Sequence, residues 1–449
     1  MSDEGSARPN VLYIFADQLG AHYLGCYGHE DVQTPNLDRL AEGAFRFTHA
    51  YTASPLCTPY RACLFSGRYP SQTGVVRNSQ RLPHGETTLA AVFNDMGYAT
   101  SYAGKWHLSG KPTAIRWVPP MERAGFADFI GWECLHVRHW DHVVFEDDPD
   151  HPTPMPGHET DGLAGLACDR LRRHAAGDRP FFMTVSFQAP HPVCEPPAEY
   201  HDLYRGRDLH YRPTVDFDTR FGGYGSHKVD IGVRDWTSAY FGEITQLDAA
   251  VGRILGTLSE LGLDESTVVV FTSDHGDMAG CHGRFEKSVM YEEAIRIPLI
   301  VRMPGRASGE VRDELLSTVD FMPTLVELAG GATPSSAEGI SYAPLLRGEA
   351  QSQAREDLFV EVADLGCVRR GAWKLVLKRD GSETRALHNL DEDPFEETNR
   401  VGDEGAHGVV SDLAEAYQSW RADIMTRRGD VDEASSVSPA LRHLVDASS

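Results

Sequence analysis

The sequence predicts an α/β protein: a large, mostly parallel mixed sheet sandwiched by helices over residues 1–335, then a smaller α+β part over 336–449 containing a short antiparallel sheet. Three observations lead there. Short β-branched and aromatic runs alternate with amphipathic stretches of helical period through most of the chain. After about residue 332 that alternation gives way to closely spaced short strands. The chain is 449 residues long with 41% hydrophobic and 24% charged residues, enough for one large core and a smaller one.

The elements come in order along the chain. Residues 11–16 (VLYIFA) form a continuous apolar run that stops at Asp17, the pattern of a buried parallel strand. Further strands are expected at 98–102, 181–187, 268–272 and 298–301. Helical periodicity marks 34–42, 88–96, 237–259 and 318–329. Residues 108–160 carry many His, Pro, Trp and Asp and follow no clear period; a loop that long is either functional or hides further elements. GATPSSAEG then reads as a linker. Beyond it, strands are expected at 358–362, 368–370, 373–377 and 385–390, with a turn at Gly371 and a closing helix over 411–426.

Charge and cysteine usage narrow the class. Forty-two basic against sixty-six acidic residues give a formal charge of −24, which repels nucleic acid and anionic lipid, so neither is an expected partner. An anionic substrate would need a site that gathers its own positive charge. The start, MSDEGSARPN, lacks the basic and apolar regions of a secretory signal, and no apolar run approaches the roughly 18–20 residues that span a bilayer. The eight cysteines are scattered with no CxxC pair, as expected for reduced thiols in the cytoplasm. Large cytoplasmic enzymes commonly assemble as homo-oligomers, which keeps self-association open.

The chemistry concentrates at strand ends and one helix start. Asp17 and Gln18 follow the first strand, and Asp274 and His275 follow TVVVFTS. Ligands gather at carboxyl ends of parallel strands. Two carboxylates and an imidazole there outline an oxygen-rich metal site, although each Asp alone is more often a cap or turn residue. In LCTPYRACLFSGRYP, Pro59 lies two residues after Cys57 and good helix formers follow. Cys57 is therefore expected at a helix N-terminus, with Arg61 one turn on. A low-pKa thiolate is one reading of such a cysteine. A Cys-x5-Arg phosphatase is excluded by spacing, since neither Cys57 to Arg61 nor Cys63 to Arg68 fits.

Cys57-Thr58-Pro59-Tyr60-Arg61, continuing to Gly67-Arg68-Tyr69-Pro70, resembles the signature of type I sulfatases in the alkaline phosphatase superfamily. The resemblance extends through NVLYIFADQ, Gly104-Lys105-Trp106-His107, Ala189-Pro190-His191-Pro192, Ser273-Asp274-His275-Gly276, Lys287 before Tyr291-Glu292-Glu293, and LHNLDEDPFEETN. Each match is short, but all stand in the family's order. The resemblance implies an alkaline-phosphatase-like fold and a sulfuric-ester hydrolase. It also implies that a maturation enzyme oxidises Cys57 to formylglycine, whose hydrate attacks sulfur and forms a covalent sulfo-enzyme. By the same resemblance, Asp17, Gln18, Asp274, His275 and residue 57 hold one divalent metal. Arg61 and Lys105 steady the diol, and Lys105 and Lys287 contact the sulfuryl oxygens. His107 is the base for the second hydroxyl and His191 the acid at the leaving oxygen.

Two positions depart from the common pattern. Many sulfatases carry a second aspartate where this chain has Gln18, and asparagine where it has His275. These choices resemble phosphonate monoester hydrolases and choline-sulfatase-like branches. They widen the expected metal from calcium to manganese or magnesium and leave a phosphonate or phosphodiester substrate as an alternative. The expected substrate is otherwise a small-molecule or saccharide sulfate ester. A non-catalytic binding protein is a third reading, but no motif position lacks its functional group. His136, His139, His142, His151 and His158 read as structural or solvated, the segment 132–142 as a wall of the leaving-group pocket, and Asn78 as a pocket or turn residue.

Overall fold

The computed structural model describes residues 8–110, 116–134, 139–224, 227–306, 309–350 and 354–428. His136 lies outside them.

The main sheet has eight strands. Across the sheet they run Glu310–Ser317, Phe45–Tyr51, Leu299–Arg302, Thr267–Ser273, Asn10–Ala16, Phe181–Ser186, Ala99–Lys105 and Asp128–Trp132. Leu299–Arg302 is antiparallel to both neighbours and every other pairing is parallel, so seven strands share one direction. The five strands expected from the apolar runs are all present, with bounds shifted by a residue or a few. Three more were not anticipated: Phe45–Tyr51, and the two edges Asp128–Trp132 and Glu310–Ser317.

Successive residues of a strand face opposite sides, and the first strand divides accordingly. Leu12, Ile14 and Ala16 pack in a core with Leu163, Leu171, Ile244 and Leu247 of helices Glu159–Ala175 and Val233–Glu260. Val11, Tyr13 and Phe15 pack on the other side with Leu64, Phe93 and Leu325 of Cys57–Ser66, Leu89–Asp95 and Phe321–Leu328. The irregular stretch after residue 108 contains strand Asp128–Trp132 and a hairpin of Trp140–Val144 with Thr153–His158.

The smaller sheet is antiparallel throughout, in the order Asp357–Val362, Leu365–Arg370, Trp373–Lys378 and Thr384–Asn389. Helix His407–Thr426 covers one face, where Leu413, Tyr417 and Ile424 meet Phe359, Val368 and Leu375. Cys63 and Tyr69 join that same core, so the C-terminal part backs the helix that starts at Cys57. The other face packs Leu358, Val360 and Cys367 against Met278, Met290 and Ile295. Lys374 bridges Glu292 at 2.9 Å and Glu396 at 2.6 Å, tying the sheet to the segment after Asp274. No helix among the described residues is long and apolar enough to cross a membrane.

Candidate active site

Five co-directional strands end at one edge, and the residues at and just past those ends build the site. Asp17 follows Ala16, Lys105 closes Ala99–Lys105, His191 follows Phe181–Ser186, and Asp274 and His275 follow Ser273. Residues after Tyr51 lead into helix Cys57–Ser66, which begins at Cys57 as its Pro59 and Arg61 spacing predicts. The Thr58 amide donates to Asn78 Oδ1 at 3.1 Å, so Asn78 caps this helix.

Asp17, Cys57, Asp274 and His275 are fully buried and converge, each offering a ligand atom within 4.8 Å of the others. The Cys57 thiol donates to Asp17 Oδ1 at 3.5 Å and lies 3.3 Å from His275 Nε2. His275 Nδ1 donates to Gly276 O at 3.0 Å, which leaves the Nε2 lone pair facing the group. Burial, then Lys287, push His275 down to about 3, so its imidazole is neutral. Asp274 accepts the amides of Gln18 and His275 on Oδ1, while its buried Oδ2 has no hydrogen-bond partner. Burial and the neighbouring Asp17 push Asp274 up to about 7. An orphaned carboxylate oxygen, a neutral imidazole with its lone pair turned inward and a second carboxylate fit a divalent cation. Ligands on opposite sides of calcium lie about 4.8 Å apart, and the four candidate ligand atoms here all lie within that distance of one another.

The cations stand around this group. Lys105 Nζ donates to Asp17 Oδ2 at 2.6 Å, and Arg61 Nη2 lies 3.4 Å from the same oxygen. Burial works to raise the Asp17 carboxyl, but Lys105, His191, His275 and Arg61 together hold it well below the usual carboxylate range. Burial likewise opposes the Lys105 charge, and Asp17 more than restores it. Arg61 also bonds Lys105 O, Tyr102 Oη and Ser186 Oγ. Lys287 donates to the Gln18 amide oxygen and lies 3.1 Å from His191 Nε2, while the Gln18 amide nitrogen donates to Asp277. Gln18 thus meets the group through its backbone amide and spends its side chain on Lys287 and Asp277. His107 is buried, with its backbone held by Glu133 O and Thr58 Oγ1. Gln18 and His107 both sit at positive φ, 71° and 52°, a conformation costly for residues with a Cβ and concentrated at functional sites. Gly104 has φ 115°, and a Cβ there would lie 2.1 Å from Ser186 O, so only glycine delivers Lys105 to this position.

Burial, then Asp17, raise the Cys57 thiol well above its ordinary value. The low-pKa thiolate reading therefore fails: burial and an anionic neighbour outweigh the helix N-terminus. Tyr102, Ser186, Glu133 and Asp277 hold the reactive groups and stood in no recognisable motif.

Three cations gathered about two buried carboxylates in a strongly acidic protein suit the hydrolysis of an anionic ester, and fold and site together define that class of enzyme. Comparison with known proteins narrows it. The family described as Sulfatase matches residues 9–332, and that described as N-sulphoglucosamine sulphohydrolase, C-terminal, matches residues 280–423. The chain belongs to the sulfatase family, and it is a sulfatase. An ulvan-active sulfatase of Formosa agariphila is 34% identical over 362 residues, covering 79% of this chain and 68% of that protein. Arylsulfatase A of Homo sapiens is 33% identical over 468 residues, covering 91% and 86%. The phosphonate monoester hydrolase of Agrobacterium radiobacter shares the fold, with TM-score 0.76 at 24% identity over 93% of this chain and 96% of that one.

Proposed function

We propose that this sulfatase cleaves a sulfate monoester carried by a saccharide or another small molecule, using as nucleophile residue 57 after a maturation enzyme has converted its cysteine to formylglycine. The observation that carries the reading is the Cys57 environment: a buried thiol of raised pKa, at a helix start, touching both Asp17 and His275. A thiol so placed is a poor nucleophile, whereas the position adjoins Asp17 and His275 and feels the charges of Lys105, Lys287 and Asp274. Formylglycine supplies a geminal diol, one hydroxyl to displace the alcohol from sulfur and the other to expel sulfate. A divalent cation, calcium or alternatively manganese or magnesium, held by Asp17, Asp274 and His275 with Gln18 beside them, would offset the carboxylate charges and acidify a hydroxyl at position 57.

The remaining steps belong to the chain's own side chains. Lys105 and Lys287 take the sulfuryl oxygens, and Arg61 fixes Asp17 and the end of the Lys105 strand. His191 Nδ1 donates to Pro192 O at 2.6 Å and its Nε2 accepts from the Lys287 ammonium at 3.1 Å. In this reading Nε2 first takes up a proton, from Lys287 or solvent, and then passes it to the departing oxygen. His107 takes the proton of the second hydroxyl. The saccharide reading draws on the N-sulphoglucosamine sulphohydrolase match and the ulvan-active relative.

Peptide mass mapping of the fragment containing Cys57, from protein made alongside a formylglycine-generating enzyme, tests this reading. An aldehyde at position 57 that tracks activity is expected; full activity with a free, alkylatable thiol sinks it. A second reading, a phosphonate monoester or phosphodiester hydrolase using the same groups, is favoured by Gln18 and His275, which lower the negative charge of the donor set. Kinetics on paired aryl sulfate and aryl phosphonate esters separate the two, and a much larger second-order rate constant for the phosphonate selects the second.

A further inference from the structure

A second buried cluster takes no part in the steps above. His139, His142, His158, Glu159 and Glu243 are each no more than 3% exposed. The rings of His139 and His158 stack with centroids 5.3 Å apart and planes 4° from parallel. His139 Nδ1 lies 2.8 Å from Glu159 Oε1, His142 Nδ1 lies 3.2 Å from Glu159 Oε2, and His158 Nε2 lies 3.3 Å from Glu243 Oε1. Five titratable groups out of water are costly unless mutually paired.

A metal centre is the first reading to weigh, because His139, His158 and Glu243 offer ligand atoms within 4.8 Å of one another. The protons argue against it. His158 precedes helix Glu159–Ala175, and its Nδ1 accepts the Thr160 amide at 3.3 Å. The proton of the neutral ring therefore sits on Nε2, the atom that faces Glu243. A metal-bound histidine has the reverse arrangement, with its outer nitrogen donating.

The outward connections of the cluster say more. His139 Nε2 donates to the backbone oxygen of His191 at 2.9 Å. Next to it, Trp140 Nε1 donates to Glu195 O at 2.9 Å, and Glu243 Oε1 accepts the Glu195 amide at 2.9 Å. The loop that follows strand Phe181–Ser186 is thus tied at His191 and again at Glu195, by the hairpin and by helix Val233–Glu260. We propose that His139 is a positioning residue for His191, fastening the loop through the carbonyl of His191 itself. Both of its ring nitrogens face groups that only accept, a carboxylate and a carbonyl, so the ring is an imidazolium with no alternative orientation. In agreement, burial opposes its charge, yet Glu243 and Glu159 raise it to about 10. The inference rests on the reading of His191 as the group at the leaving oxygen.

Matured full-length protein carrying His139→Ala, His139→Gln, His191→Ala or the double alanine change tests it, with thermal melts and conversion at residue 57 as controls. Turnover is read on aryl sulfates whose phenols span a range of acidity. His139→Ala should lower kcat on the order of 10- to 100-fold for the least acidic phenols, with little change for the most acidic and little change in KM. The double variant should be no slower than His191→Ala. His139→Gln, whose amide can donate to the same carbonyl, should recover part of the loss. An equal loss for every phenol, or additive losses in the double variant, overturns the proposal, as does a second bound metal ion that disappears in His139→Ala. Hydrogen exchange over residues 188–195 separates the fastening from the role of His191. Faster exchange in His139→Ala, reversed in His139→Gln, supports the fastening even if His191→Ala proves indifferent to the phenol; unchanged exchange refutes it whatever His191 does.

Discussion

Replacing Lys105 by methionine removes one of two cations beside Asp17 while keeping most of the apolar stem. Lys105 Nζ lies 2.6 Å from Asp17 Oδ2, and both side chains are fully buried. At an effective dielectric of about 20, charges at that separation attract by about 6 kcal/mol. Much of that attraction offsets the desolvation of the two ions, and removing one partner leaves the other buried and under-compensated. Arg61 remains 3.4 Å from the same oxygen and softens the loss. The net destabilisation should fall at the lower end of the range for broken buried pairs, about 3 kcal/mol. Its pH dependence has a definite sign. The Asp17 carboxyl titrates well below its unfolded value in the folded protein, so its stabilisation is complete above the unfolded pKa and is lost as pH falls through the folded one. The two proteins should therefore differ by about 3 kcal/mol at about pH 7, and the difference should shrink progressively as pH falls below the unfolded carboxylate value of about 4. Urea unfolding in chelator, which prevents a cation from taking the place of Lys105, measures both. A difference under about 1 kcal/mol at neutral pH, or one that persists in acid, refutes the account of Asp17 as a charge held by its cations. Under the proposed function, kcat/KM of the matured variant falls on the order of 100- to 1000-fold.

Three further outcomes rest on the same geometry. Asp274 is pushed up to about 7, so in chelator its contribution favours the folded state at low pH and is lost as pH rises from about 4 through 7; added calcium or manganese should raise the thermal midpoint more at about pH 8 than at about pH 5, and Asp274→Ala should abolish the increment. Asn78→Ala removes the cap on the Cys57 helix and should lower stability in urea by about 1 kcal/mol, with Asn78→Asp close to wild type. Gly104→Ala sets a Cβ against Ser186 O at a residue with φ 115°, and should cost more than about 2 kcal/mol in the same assay or prevent accumulation of folded protein.

How much of the molecule is legible in the sequence depends on physical locality. Asp17, Cys57 and Asp274 each sit at the end of an apolar run or the start of a helical one, boundaries that are properties of a few adjacent residues, whereas Lys105 lies past the expected strand 98–102 and is legible only through its motif. The structure brings them together as the boundaries require, since co-directional strands deliver their ends to one edge. The missed strands lack such signals. Phe45–Tyr51 (FRFTHAY) mixes polar residues into a strand whose exposure alternates only in part. Glu310–Ser317 (EVRDELLS) is an edge strand carrying the charges that discourage further pairing, which makes it resemble a surface helix in composition. The partners of the reactive groups are illegible for a different reason. Tyr102, Ser186 and Asp277 hold Arg61 and Gln18 across sequence separations that no local pattern records. His139, His142 and His158 illustrate the limit well: their spacing has no period, and only the fold reveals that they are buried around two glutamates, while His151 is exposed as an ordinary surface histidine is.

Burial first, and then the ionised Asp17, raise the Cys57 thiol, so its shift is linked to the lowered pKa of Asp17. Arg61 and Lys105 hold Asp17 as an anion, and that anion, in a fully buried pocket, disfavours a second negative charge on sulfur 3.5 Å away. Helix Cys57–Ser66 contributes only partial positive charge at its first turn, worth about 1 kcal/mol or a little more, which is smaller than the opposing burial and Asp17 contributions. The encoded thiol is therefore held neutral by the same residues that would hold a cation. Under the proposed function, a divalent cation held by Asp17 and Asp274 would reverse the local sign, and a hydroxyl at position 57 would gain acidity where the bare pocket withholds it. Metal occupancy and conversion of residue 57 should accordingly act as one unit: converted protein stripped of its cation, and loaded protein that retains cysteine, should both be inactive, and their deficits should not add. Substantial turnover from either form alone would mean that the nucleophile is made some other way.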